Sequence, residues 1–267
     1  MMRLSLTLSA IIVFASSLAA QDPPPPIRDN SFLIEEAYNQ ERGVVQHINN
    51  FIRPAGGDSW AYNFTQEWPL GGIRHQLSYS VPVQHDADGT GLADVGIHYR
   101  YQLVGNPAAS VVLAPRLSFF LPTGDHEAGR GFGGVSFQTN LPLTVVLTPK
   151  LVSHWNAGLT LTPSAKSLAG SEATTESFNL GTSAIWLLHP SFNLMVEALW
   201  LSVESAGTPG TERDEVVLLN PGFRAAINLA NDLQMVPGLG YTFDLGPSSD
   251  EDALFVYLSL EHPFRKQ

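Results

Sequence analysis

Apolar residues recur at every second position in one segment of this chain after another, and that period limits the fold more than any other feature. Ala93, Val95, Ile97, Tyr99, Tyr101 and Leu103 alternate with Asp94, Gly96, His98, Arg100 and Gln102. Val111, Leu113, Leu117, Phe119 and Leu121 alternate with Ala114, Arg116 and Ser118. A period of two belongs to a strand with one apolar and one polar face. Runs of the same kind start near residues 73, 135, 151, 178, 219 and 233. Residues 60–70, 192–203 and 254–264 are less regular, the last with Leu254, Val256, Leu258, Leu260 and Phe264 on one face. Residues 43–53 are the weakest strand, with Val44, Ile48 and Ile52 in step. Together these are twelve predicted strands.

Two architectures share such a pattern. In a sandwich the apolar faces meet in the middle. In an outer-membrane barrel they face lipid, and the polar faces line a wet lumen. The connections separate the two. Short ones (69–72, 105–107, 148–150, 189–191, 230–232) alternate with longer ones (84–90, 122–131, 163–175, 204–214, 246–252). Short periplasmic turns and longer external loops are expected of a membrane barrel, and an even strand count returns both ends to one side. Many runs reach the roughly 10 residues that a tilted strand needs to cross the hydrocarbon layer. Trp60, Trp68, Tyr101, Trp155, Trp186, Trp200, Tyr241 and Phe264 sit near strand ends, where interfacial girdles form. The reading is an all-β, antiparallel transmembrane barrel of twelve strands with a short N-terminal periplasmic segment.

Composition closes off other classes. Only 14 Lys and Arg stand against 25 Asp and Glu, which opposes nucleic-acid binding. With no Cys, disulfides, thiolate metal sites and Cys nucleophiles are excluded. The eight His are scattered without metal-ligand spacing, and no Gly-x-Ser-x-Gly motif occurs. No enzyme, metal or cofactor is expected.

Residues 1–20 read as a signal peptide, with Arg3 before an apolar core and small residues at Ser17, Ala19 and Ala20. Residues 21–42 are a spacer opening on Pro23–Pro26, followed by a short N-terminal segment. The barrel occupies 43–264, and 265–267 form a tail. For Ser31 to Gln40 two readings stand open. One is a short helix capped by Asn30 and docked at the periplasmic mouth, partly closing the lumen. The other is a plain lead-in to the first strand.

Alternation also assigns the lumen: Glu67, Arg74, Asp94, His98, Arg100, Arg116, His154, Glu197, Arg224 and Glu261. Confined charges must pair or stay hydrated. Their two readings are a polar constriction that filters solutes and a structural ion-pair plug in a narrow barrel. Acidic residues such as Asp86, Asp125, Glu204 and Asp214 gather in the longer loops as a solvated rim. Divalent-cation bridging to lipopolysaccharide is the sharper alternative there.

Several short stretches carry a family resemblance. They are Asn30 to Glu41, Gly43 to Ile48, Gly91 to Val95 leading into Tyr99-Arg100-Tyr101, Leu121 to Asp125, and Asn220 to Arg224. The chain resembles the MetA-pathway-of-phenol-degradation family of outer-membrane proteins. That resemblance implies a porin-like transporter of a Gram-negative outer membrane, in some members linked to aromatic compounds. The implied partners are membrane lipid and lipopolysaccharide, the barrel-assembly machinery and small solutes. The expected function is passive uptake of small solutes, apolar or aromatic. The alternative is a non-conducting structural barrel.

Overall fold

The computed structural model describes residue 27, residues 31–247 and residues 251–264. The signal peptide, the proline run, the Asn30 cap and the 265–267 tail lie outside those residues.

Twelve wall strands form one antiparallel sheet that closes on itself. They are β1 (Val44–Pro54), β2 (Trp60–Pro69), β3 (His75–Asp86), β4 (Gly89–Leu92 with Val95–Tyr101), β5 (Val111–Leu113 with Arg116–Leu121) and β6 (Ser136–Asn140 with Leu143–Thr148). They continue as β7 (Leu151–Lys166), β8 (Glu172–His189), β9 (Phe192–Ala206), β10 (Thr211–Ala225 with Ile227–Asn228), β11 (Gln234–Asp244) and β12 (Ala253–Pro263). Closure is made by β1 and β12, which pair from Val44↔Pro263 to Pro54↔Ala253. Below, the near end of the cylinder is the one where β1 starts and β12 stops.

The breaks within β5 and β6 have one cause. Pro115 and Pro142 have no N–H to give a ladder. The wall is continuous around them, because the Ala114 N–H donates to the Pro142 carbonyl at 3.0 Å and the Tyr101 N–H to the Pro115 carbonyl, also at 3.0 Å.

The faces are inverted relative to a water-soluble protein. Leu117, Phe119, Phe137, Leu147, Trp155 and Trp186 point outward, each 45–57% exposed, while Gln76, Ser118, Asn140, Thr144, Asn156 and Asn220 are buried inside. A continuous apolar belt of this kind asks for lipid. One sector departs from it. On the outer face of β1, β2, β3 and β12, Tyr79 Oη donates to Gln66 Oε1 at 2.8 Å and Tyr62 Oη to Asn49 Oδ1 at 2.7 Å. Gln66 Nε2 then meets His47 Nδ1 at 3.1 Å, and His47 meets His262 at 3.2 Å. These polar groups satisfy one another within the wall.

Three expectations are corrected. In β1, Ile48 and Ile52 face inward and pack with Phe255 and Tyr257, so their spacing marks an apolar patch of the lumen and not the lipid face. The stretches read as long loops at 163–175 and 204–214 are mostly strand, with only 167–171 and 207–210 left as turns: β7 to β10 run 16, 18, 15 and 15 residues and project beyond the belt. Polar, Thr-rich sequence there conceals a period of two whose faces both meet water. Finally, Ser31 to Gln40 forms no helix and does not sit at the mouth; it runs in bends inside the barrel.

Candidate functional site

A small eight-stranded barrel is filled by its own side chains, whereas sixteen strands leave an aqueous channel. Twelve strands leave room between those limits, and here the room is taken by a length of main chain. The segment enters beside β9, where Asn193 Nδ2 donates to the Ile27 carbonyl at 3.0 Å. It then follows the inner wall as a collar. Ser31 meets Ser183 of β8 at 3.2 Å, the Glu35 N–H donates to Asn156 of β7 at 2.8 Å, and the Ala37 N–H to Thr144 of β6 at 2.9 Å. The Asn39 N–H reaches Gln102 beyond β4, and the Gln40 N–H donates to Gln76 of β3 at 2.7 Å. Gly43, at φ 83°, then turns the chain into β1. The main-chain donors of Glu35, Ala37, Asn39 and Gln40, freed by the lack of secondary structure, are thus met by side chains of the wall, as burial requires.

Two charged latches hold the collar. Glu197 of β9 is fully buried, and its Oε1 accepts the consecutive N–H groups of Phe32, Leu33 and Ile34 at 3.0, 3.0 and 3.1 Å. Its Oε2 accepts from Asn220 at 2.8 Å. Opposite, Arg100 of β4 donates Nε to Asn39 Oδ1 at 2.8 Å and Nη1 to the Glu36 carbonyl at 3.0 Å and Glu35 Oε1 at 3.1 Å. Nη2 of Arg100 donates to the Tyr38 carbonyl and lies 3.7 Å from Glu67. Arg116 of β5 takes the other oxygen of Glu35 at 3.0 Å.

Apolar fit completes the seat. Phe32 stacks on Phe255, with centroids 5.0 Å apart, and leans on Tyr257 at 5.4 Å. Beneath its ring the wall carries no side chain: a Cβ added at Gly222 or Gly238 would lie 2.6 or 2.7 Å from Phe32. Gly181 likewise makes room for Ile34. Burying one such aromatic side chain contributes about 1.5–3 kcal/mol. A buried ion cluster roughly balances its own desolvation cost. The ring therefore supplies net affinity, while Arg100 and Glu197 set the register of the collar and its place in the bore.

The structure places the ten lumen residues in four groups. Glu67, Arg100, Arg116 and Glu197 meet the collar or its charges. His154 lies behind it, 2.8 Å from the Thr144 hydroxyl that receives the Ala37 N–H. Arg224 and Glu261 sit lower, Arg224 bonding Asn193 at 3.3 Å and Glu261 lining the same near-end crevice. The rest stand apart. His98 lies between Ser80 and Ser118 at 3.0 and 2.9 Å, and Asp94 ties down the 122–135 loop by accepting from Gly124 and Phe132. Arg74 is exposed in the turn between β2 and β3. Sequence reasoning passed over the uncharged anchors Gln76, Gln102, Thr144, Asn156 and Asn193, and the glycine seat. Their signal was present: each anchor is an Asn, Gln or Thr at a lumen position, and Gly222, Gly238 and Gly240 share the inner face of neighbouring strands.

A closed, lipid-faced cylinder with a polar bore is a porin-type barrel. The family described as "Putative MetA-pathway of phenol degradation" matches residues 29–249, and the chain belongs to it. Among solved structures, the COG4313 outer membrane channel from Pseudomonas putida F1 is similar at 12% identity and a TM-score of 0.60, covering 85% of this chain and 97% of that one. The NanC porin is similar at 9% identity and a TM-score of 0.57, covering 83% and 100%. Such distant likeness concerns the fold. Comparison with curated proteins finds no match.

Proposed function

We propose that the protein is a passive outer-membrane channel for small solutes whose bore is closed by its own N-terminal collar. The observation that carries this is the seating of residues 31–40 on lumen side chains of many wall strands, in a cylinder wide enough to hold a peptide. A segment held by hydrogen bonds, ion pairs and one aromatic ring, and not by strand pairing, can leave without opening the wall. The near end would face the periplasm, the barrel-assembly machinery would insert the folded wall, and lipopolysaccharide would meet the external rim. Family membership supports apolar or aromatic compounds as solutes, with Arg100 and Arg116 filtering them.

Liposome swelling tests the reading. Protein lacking residues 31–40 should admit small sugars and aromatic alcohols at rates well above those of the intact chain. A second reading, a non-conducting structural barrel, draws on the completeness of the collar's anchoring. If the shortened protein folds and swelling stays at the background of empty liposomes, that second reading replaces the first.

A further inference from the structure

Arg100, Arg116 and Asn140 stand in one row on the inner wall. Arg100 is directly opposite Arg116 in the β4–β5 ladder, and Arg116 is directly opposite Asn140 in the β5–β6 ladder. Like charges opposite each other on one face of a sheet destabilise it unless an anion stands between them. The wall's own carboxylate, Glu67, lies 3.7 Å from Arg100. Among the described residues, Arg116 makes its one ion pair with Glu35 of the collar. Glu35 completes the row. Its Oε1 accepts from Arg100 Nη1 at 3.1 Å, and its Oε2 lies 3.0 Å from Arg116 Nη1 and accepts from Asn140 Nδ2 at 2.9 Å. Three wall side chains thus converge on the two oxygens of one carboxylate, which is the group that arginine donors match in shape and charge.

Two of these donors are placed by the wall itself. Arg116 Nη2 donates to Gln138 Oε1 at 2.8 Å, and Asn140 Oδ1 accepts from Asn179 at 3.5 Å. Without Glu35 the wall keeps two guanidinium groups and at most one negative charge, whichever form Glu67 takes, so the row calls for an anion. It is also within reach: the side chains of Glu35 and Arg116 are 17% and 23% exposed, against 6% and 2% for Glu36 and Arg100. Arg100, Arg116 and Glu35 border a cavity of about 170 Å³ that Ile48 and Tyr257 also line. A cavity of roughly 150 Å³ holds one benzene ring. We propose that this row is a binding site for a small carboxylate solute, which takes the place of the Glu35 side chain, its two oxygens on Arg100, Arg116 and Asn140 and its apolar body toward Ile48 and Tyr257. Glu35 is then the collar's own stand-in for the solute, and the two exclude each other. The site's part in uptake rests on the channel reading; the binding itself does not.

Benzoate, benzyl alcohol and benzylammonium, three one-ring probes of different charge, test it. Each is titrated calorimetrically at neutral pH into the full chain folded in a non-ionic detergent, with empty micelles subtracted. Glu35→Ala vacates the row while Glu197 and Phe32 keep the collar in place, and bound benzoate restores the carboxylate that was removed. Benzoate should therefore bind Glu35→Ala one to one, about tenfold or more tighter than it binds the unchanged chain, where Glu35 competes. It should also exceed benzyl alcohol on Glu35→Ala by about tenfold or more, and benzylammonium should not bind. Adding Arg116→Ala to Glu35→Ala should bring benzoate down to the level of the alcohol. Should that double variant lack the heat-dependent gel shift of a folded barrel, Asn140→Ala with Glu35→Ala takes its place and should weaken benzoate more than the alcohol. Equal benzoate affinities for Glu35→Ala and the unchanged chain would overturn the proposal. Equal affinities of Glu35→Ala for benzoate and the alcohol would do so too, as would chloride competing as well as benzoate. Benzoate binding with no liposome swelling by the shortened protein would remove the channel reading and leave this site in place; swelling with no benzoate binding would do the reverse.

Discussion

Glu197 gives the sharpest test of the collar. Its Oε1 collects three main-chain N–H groups at 3.0–3.1 Å, in a position with no exposure to solvent. Glu197→Ala removes the acceptor and leaves those donors in a buried setting. Each unmet donor costs about 1–3 kcal/mol, so three would reach several kcal/mol if nothing moved. The segment can move, however, toward water in the bore. The lower end, about 3 kcal/mol, is therefore the figure to expect, and at 1.4 kcal/mol per decade it raises the population of the released collar about 100-fold. Glu197→Gln keeps an oxygen but loses the charge that strengthens the bonds, and about tenfold is expected. The chain has no cysteine, so a single Ser31→Cys substitution reports on the collar alone. Ser31 is buried against Ser183 when the collar is seated. A membrane-impermeant maleimide should label it slowly in the Glu197 parent, about ten times faster with Glu197→Gln, and about 100 times faster with Glu197→Ala. Equal labelling rates in three folded barrels would refute the claim that this carboxylate holds the segment.

Two further perturbations address the other contacts. Gly238→Ala places a methyl 2.7 Å from the Phe32 ring, an overlap costing about 1–3 kcal/mol; planar-bilayer currents should rise, and combining it with Phe32→Ala should add nothing, whereas additive effects would show that this glycine does not act through the ring. Replacing both Arg100 and Arg116 with Ala strips the cations from Glu35, Glu36 and Glu67 and should shift ion preference toward cations and raise conductance; unaltered currents in a folded double variant would leave those arginines a structural role only.

The wall was readable in the sequence because lipid outside and water inside impose opposite demands on neighbouring residues. Strand number, closure and most faces follow from that single alternation. It fails where the two environments become alike. Ile48 and Ile52 are apolar yet face inward, because Phe255, Tyr257 and Phe32 make that sector of the bore apolar. The tips of β7 to β10 are wet on both sides, so no contrast marks them as strand. The collar was hidden for a different reason. Its conformation follows neither a period of two nor one of 3.6, since each residue answers to whichever wall group lies next to it. The apolar spacing of Leu33, Ile34, Ala37 and Tyr38 imitates a helix, but these side chains answer to different patches of the wall.

That difference bears on where the information for the site is kept. The collar has no sheet partner, so its register must be written into the barrel. It is: Glu197, Asn156, Thr144, Gln102 and Gln76 present acceptors in the order in which the N–H groups from Phe32 to Gln40 arrive. A wall built only to conduct would need no such order, and inward glycines at 222, 238 and 240 would be a loss, because glycine weakens a strand and packs nothing. The loss makes sense if those positions are kept bare for Phe32. The seating of the collar is therefore specified by the wall as much as by the segment itself. The segment transplanted onto another twelve-stranded barrel should be labelled at Ser31→Cys as fast as a free peptide, and protection in such a chimera would show that the collar carries its own fold.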